Sequence, residues 1–130
     1  MAPYAIVNFF ELEGSNPPDP SAEREGRFAR SQIGSEHVGA SYFRYGPGFR
    51  STGGHSHGEQ EEVYVVISGS GRVKLDDEIR DLKQWDVVRV SPAVVRAFEG
   101  GPQGMELIVA ANDRPEGGDG KRVDDFWPVG

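Results

Sequence analysis

Apolar residues in this chain come in short runs, cut by glycine, proline or acidic clusters before any run becomes long enough for a helix. His37 to Tyr45, HVGASYFRY, is a strand by this pattern, and YGPG at Tyr45 to Gly48 closes it with a turn. Glu62 to Ser68, EVYVVIS, is apolar on both faces: Glu62, Tyr64 and Val66 share one side, and Val63, Val65 and Ile67 share the other. Such a strand is expected to be covered twice, by a barrel interior and by a second sheet or a partner subunit. Ser68 to Gly71 reads as a turn into Arg72 to Leu75, and Asp76 to Glu78 as a turn into Ile79 to Leu82. Val87 to Val90, Val94 to Phe98 and Met105 to Ala111 complete the set, the last two joined by the turn EGGPQG. Upstream, Tyr4 to Leu12 suits a short strand packed on the barrel, and Arg27 to Ile33 suits another. Between them Glu13 to Gly26 is irregular and exposed, with room for a single helical turn after Asp19, Pro20 and Ser21.

Regularly spaced short strands predict an all-β sandwich or small barrel. The expected organisation is one domain over residues 1–130, with an N-terminal arm (about 1–26) and a C-terminal tail (about 112–130) that docks Phe126 and Trp127.

The 130 residues include 18 glycines and 9 prolines, which fits many turns and few helices, and are numerous enough for a core without disulfide staples. Cysteine is absent, so thiolate chemistry and zinc-finger readings are excluded, and a reducing cytoplasm is the expected location. A net charge of −7 with no basic cluster argues against nucleic acid and anionic membrane as partners. MAPYAIVNFF lacks the charged and apolar regions of a signal peptide, and no stretch resembles a membrane span.

The chemistry concentrates in GGHSHGEQEEVYVVISGSG, Gly53 to Gly71. With Ser56 in a strand, His55 and His57 point to one face and can converge on one ion, and Glu62 can add an oxygen. Two imidazoles and a carboxylate suit a divalent transition metal with open positions. The competing reading is a solvent-facing histidine pair in a glycine-rich loop. His37 lies outside the motif and reads as a surface histidine. No nucleophile beside a base, second carboxylate pair or phosphate-cradling glycine motif is present.

The order HxH, four residues, Glu, six residues, Gly, carried by His55, His57, Glu62 and Gly69, resembles the first motif of the cupin superfamily. WDVVRVSPAVVRAFEG, Trp85 to Gly100, is similar to the second motif, with Asp86 and the strand Val87 to Val90 in place. Trp85 stands where the family has Gly, Ser91 where it has Pro, Ala93 where it has Gly and Arg96 where it has a third histidine. The resemblance spans roughly Val38 to Ala111 and implies a double-stranded β-helix of the jelly-roll type. It implies iron, manganese, nickel or zinc on His55, His57 and Glu62, and a small organic ligand in the barrel. A metal-dependent dioxygenase or isomerase, or a non-catalytic binding module, would follow from such a site.

Arg96 cannot ligate a metal, because its guanidinium stays protonated. It shares a face with Val94 and Phe98 and so points inward, where it either grips an anionic ligand or pairs with Glu62 and replaces the metal. Tyr64 and Phe98 also point inward, as core fillers or ligand contacts, and Glu61 faces away. Trp85 reads as an exposed or interface aromatic, and the two-faced strand with apolar termini predicts a homodimer.

Overall fold

The computed structural model describes residues 3–128. Eight antiparallel strands form one sheet that curls on itself: β1 (Arg24–Phe28), β2 (Gly39–Tyr45), β3 (Gly53–His57), β4 (Glu62–Leu75), β5 (Glu78–Lys83), β6 (Val87–Val90), β7 (Arg96–Ala111) and β8 (Gly120–Asp124). β4 and β7 pair along most of their length and pass through both walls of the barrel. In one wall β6 adds to β4, and β2 and then β1 add to β7. In the other wall β5 adds to β4, and β3 and then β8 add to β7. The result is an all-β jelly-roll barrel.

The bend that carries both long strands from wall to wall is made by glycines. The register slips between Val66 and Ser68 and again between Gly69 and Gly71, and Gly69 (φ 75°) meets Gly104 (φ 79°) across the ladder. A Cβ on Gly69 would lie 2.1 Å from the Gly104 carbonyl oxygen, and one on Gly71 would lie 2.2 Å from that of Glu99. The expected turns SGSG and EGGPQG are therefore bends within single strands, not reversals: glycine tolerates the close approach and the register slip without ending the ladder. Asp76 and Asp77 do form the tight β4–β5 hairpin, with Leu75 opposite Glu78.

Strand alternation builds the core. Val66 and Leu107 are fully buried, and Val73, Val90, Met105 and Phe98 pack around them. The opposite side of β4 is only partly covered: Val63, Val65 and Ile67 are half-buried, and Val87 and Trp85 nearby are exposed.

Three expectations need correction. Tyr4 to Leu12 is not a strand; Ile6 is 91% exposed, and a 3-10 turn at Phe9–Glu11, capped by the Asn8 side chain on the Phe10 N–H, sets Phe9 and Phe10 against Tyr42. Buried Arg27 holds this arm, pairing with Glu25, donating to the carbonyls of Phe9 and Asn16 and lying over the Phe10 ring. The strand expected at Arg27 to Ile33 begins earlier, at Arg24, because its partner β2 places Arg24 opposite Tyr45 and Phe28 opposite Ser41. The polar tail contains β8, which closes the edge of β3. Beyond β8, Phe126 lies under the Lys74 ammonium, and Trp127 is buried beneath the Arg50 guanidinium, 4.7 Å from its ring, so Trp127 docks on its own barrel.

Candidate metal centre

β3 is short and glycine-led, and its alternation sends His55 and His57 to the barrel interior while Gly54 turns outward against Phe126 and Val95. At Gly54 the outward face has no room for a side chain, since a Cβ there would stand 2.7 Å from Phe126. Across the barrel mouth, Glu62 opens β4 and faces both imidazoles. One ligand atom from each of His55, His57 and Glu62 lies within 4.8 Å of the others. The imidazole rings are 5.0 Å apart at 88°, and their Nε2 atoms stand 3.7 Å (His55) and 3.5 Å (His57) from Glu62 Oε1.

His57 is set by a residue that the sequence does not single out. Asp119, just before β8, stands with Oδ1 2.8 Å from His57 Nδ1, and its Oδ2 accepts the backbone N–H groups of Glu59 and Gln60 at 2.6 and 2.9 Å. Burial raises the Asp119 carboxyl, but these three hydrogen bonds outweigh it and hold the group well below the usual carboxylate range. An ionised Asp119 accepts, so His57 donates from Nδ1 and keeps its Nε2 lone pair for the interior. That Nε2 is buried and has no hydrogen-bond partner. A buried, unpartnered lone pair beside a second imidazole and a carboxylate fits a divalent cation, whose histidine ligands commonly carry such a carboxylate on the far ring nitrogen.

Glu62 is held from several sides. Burial raises its carboxyl, but the His55 imidazole, the Tyr64 hydroxyl and the charge of Arg96 bring it below the ordinary value, so it is an anionic donor. The Tyr64 hydroxyl donates to Oε1, and Arg96 Nε stands 3.7 Å from the same oxygen. Glu61 is exposed and turned away, with its N–H on the Asn112 side chain.

Arg96 lies opposite His55 in the ladder. It has no exposed surface, and its terminal nitrogens donate to the carbonyls of His55 and Ser91 at 3.4 and 3.2 Å. Its Nε is buried without a hydrogen-bond partner, and the side chain lines a recess beside His55, so Arg96 forms part of the wall of the site. Tyr64 and Phe98 are each 3% exposed and tilt against one another at 4.6 Å, so both are core residues, although Phe98 also borders a recess of about 360 Å³ beside His55.

The larger cavity over the centre measures about 500 Å³ and includes His55, His57 and Glu62. Phe28 and Phe43 give it an apolar side, and Arg24, Arg30 and Arg114 give it a cationic rim. None of the three arginines was marked by a motif; the register of β1 and the fold of the tail bring them there.

A family model described as a cupin domain matches residues 41–109. No curated protein matches the chain. Among solved structures, a cupin protein from Bacteroides fragilis is 18% identical with a TM-score of 0.66, covering 100% of this chain and 92% of its own. A cupin-2 domain protein from Rhodospirillum rubrum is 17% identical with a TM-score of 0.64, covering 91% and 74%. An oxalate decarboxylase variant from Bacillus subtilis is 21% identical with a TM-score of 0.64, covering 76% of this chain but 27% of its own, so this chain spans about a quarter of that enzyme. At these identities the likeness is one of fold.

Proposed function

This chain belongs to the cupin superfamily, and on that premise we propose that it holds one divalent transition metal on His55, His57 and Glu62 and takes a small organic ligand into the cavity above them. The observation that carries this reading is His57 Nε2, buried without a partner, aimed at the other two donors and fixed in that state by Asp119. When bound, the metal supplies Lewis-acid or oxygen-activating chemistry of the kind a dioxygenase or isomerase uses. The protein's own part is to keep Glu62 ionised through Tyr64 and Arg96, to orient His57, and to shelter the centre inside the barrel. Iron, manganese, nickel and zinc all suit this donor set.

Elemental analysis of untagged protein tests the reading. Metal near one per chain is expected, released on acidification because a protonated imidazole cannot coordinate. A double His55→Ala, His57→Ala variant that keeps its metal overturns the assignment.

A second reading rests on the approach of Arg96 Nε to Glu62 Oε1 at 3.7 Å. There the carboxylate is neutralised by the guanidinium, and the barrel binds its ligand without metal. Protein that stays metal-free after exposure to each of the four metals supports it.

The proposal includes a homodimer. Val63, Val65 and Ile67 on the half-covered side of β4, with exposed Val87 and Trp85 beside them, form the surface offered to a second copy. Light scattering that gives a monomer at high micromolar concentration rejects it.

A further inference from the structure

Charge in the cavity runs against charge in the rest of the chain. The protein carries 21 acidic and 14 basic residues, yet Arg24, Arg30 and Arg114 gather over the centre, and Glu62 is the one acidic side chain bordering that cavity among the described residues. Once Glu62 is bound to a divalent cation, no free anion is left there to balance the guanidinium groups.

Each arginine has a distinct setting. Arg24, on β1, is exposed and lies over the Phe43 ring at 5.2 Å. Arg30 is built into the wall: it donates to the Ala111 and Asn112 carbonyls and lies across Gly39, where a Cβ would come within 2.5 Å of its guanidinium. Arg114 is exposed at the start of the tail. The ion pairs formed by the other arginines, with Glu25, Glu99, Glu78, Glu61, Glu62 and Asp124, include none of these three among the described residues. Beside them Phe28, 60% exposed, meets Phe43 edge-on at 5.4 Å and leaves an apolar surface open to the cavity.

We infer that the ligand is an organic acid with an apolar body, its carboxylate held by Arg24 and Arg114 at the cavity rim and its body against Phe28 and Phe43. This rests on the metal-site reading above and replaces Arg96 with rim arginines as the anion-binding groups. A planar guanidinium gives a carboxylate two parallel hydrogen bonds, which a neutral amide of the same shape cannot match. Arg30, already bonded to two carbonyls, adds its charge from the wall.

The test uses phenylacetate and its neutral isostere phenylacetamide, titrated by calorimetry into metal-free and cobalt(II)-loaded protein, with cobalt(II) absorption reporting metal binding separately. Phenylacetate is expected to bind about tenfold more tightly than the amide, or better. An Arg24→Gln, Arg114→Gln double variant is expected to lose that preference while cobalt(II) affinity stays within about twofold, since both side chains are exposed and neither is one of the three proposed metal donors. Equal affinity for acid and amide overturns the inference. So does phenylacetate binding that survives in the double variant, because the carboxylate then sits on the metal alone. Failure of cobalt(II) to bind rejects the metal-site reading and leaves the arginine comparison legible on metal-free protein.

Discussion

Asp119 and His57 are 62 positions apart in the chain and 2.8 Å apart in the barrel, and this contact decides which nitrogen of His57 faces the centre. Asp119→Asn replaces an ionised acceptor with an amide that can present a donor to Nδ1, and the Nε2 lone pair is then no longer secured. Metal affinity is expected to fall roughly 10–100-fold. A cobalt(II) titration of both forms measures it, and an unchanged affinity rejects the positioning role.

Arg96 is a buried cation 3.7 Å from the carboxylate proposed to bind a divalent ion. Two unit charges about 4 Å apart interact by roughly 4 kcal/mol at an effective dielectric of about 20, so the guanidinium works against metal occupancy. Arg96→His is expected to raise metal affinity by about tenfold or more. It also leaves the His55 and Ser91 carbonyls without these donors, and a loss of about 1–3 kcal/mol in urea unfolding is expected with the gain. Unchanged metal affinity would place the charge of Arg96 outside the centre's reach.

Arg72 and Arg50 both donate to Glu99 on β7 and hold its carboxyl below the ordinary 4.5. A lowered folded-state value means that the contribution is present above the unfolded value and lost as pH falls through the folded one. Glu99→Gln is expected to cost about 1 kcal/mol near neutral pH, since the pair is partly exposed and screened. Urea midpoints of the two proteins should converge as pH falls below 4.5. A gap that persists in acid refutes the ion-pair account.

Two positive-φ residues predict effects of opposite sign. Gly69→Ala adds a Cβ 2.1 Å from a backbone oxygen at φ 75°, and a loss of roughly 3 kcal/mol or more is expected. Trp85 occupies φ 74° between β5 and β6 and is 67% exposed, so it carries the backbone cost with little burial to offset it. Trp85→Gly is expected to stabilise the monomer by about 0.5–1 kcal/mol. Thermal melts check both, and a destabilised Trp85→Gly monomer would show that the indole holds the turn.

How much of this was readable from the chain depends on whether a residue's role comes from its neighbours in sequence. His55 and His57 share a face by strand alternation alone, whereas Glu62 is picked out from Glu61 by the family's spacing to Gly69, and its approach to the histidines comes from closure of the barrel, since β3 and β4 do not pair. The family's glycine at Gly69 was legible as a marker, while its reason, contact with Gly104, needs the opposing strand. Gly120–Asp124, GKRVD, has one apolar side chain and no strand pattern; it is a strand because β3 offers it an edge. Asp119 is invisible for the same cause. The rim arginines were unreadable because Arg24 belongs to a strand whose register is fixed by β2.

The late position of Asp119 also orders events in time. At a synthesis rate of about 5–20 residues per second, the 62 residues between His57 and Asp119 take roughly 3–12 s to emerge, and during that interval the two histidines and Glu62 are present without the carboxylate that orients His57. On the proposed reading, metal capture with full affinity would wait for the segment that carries Asp119, so the centre would be finished only after β1 to β7 had been made.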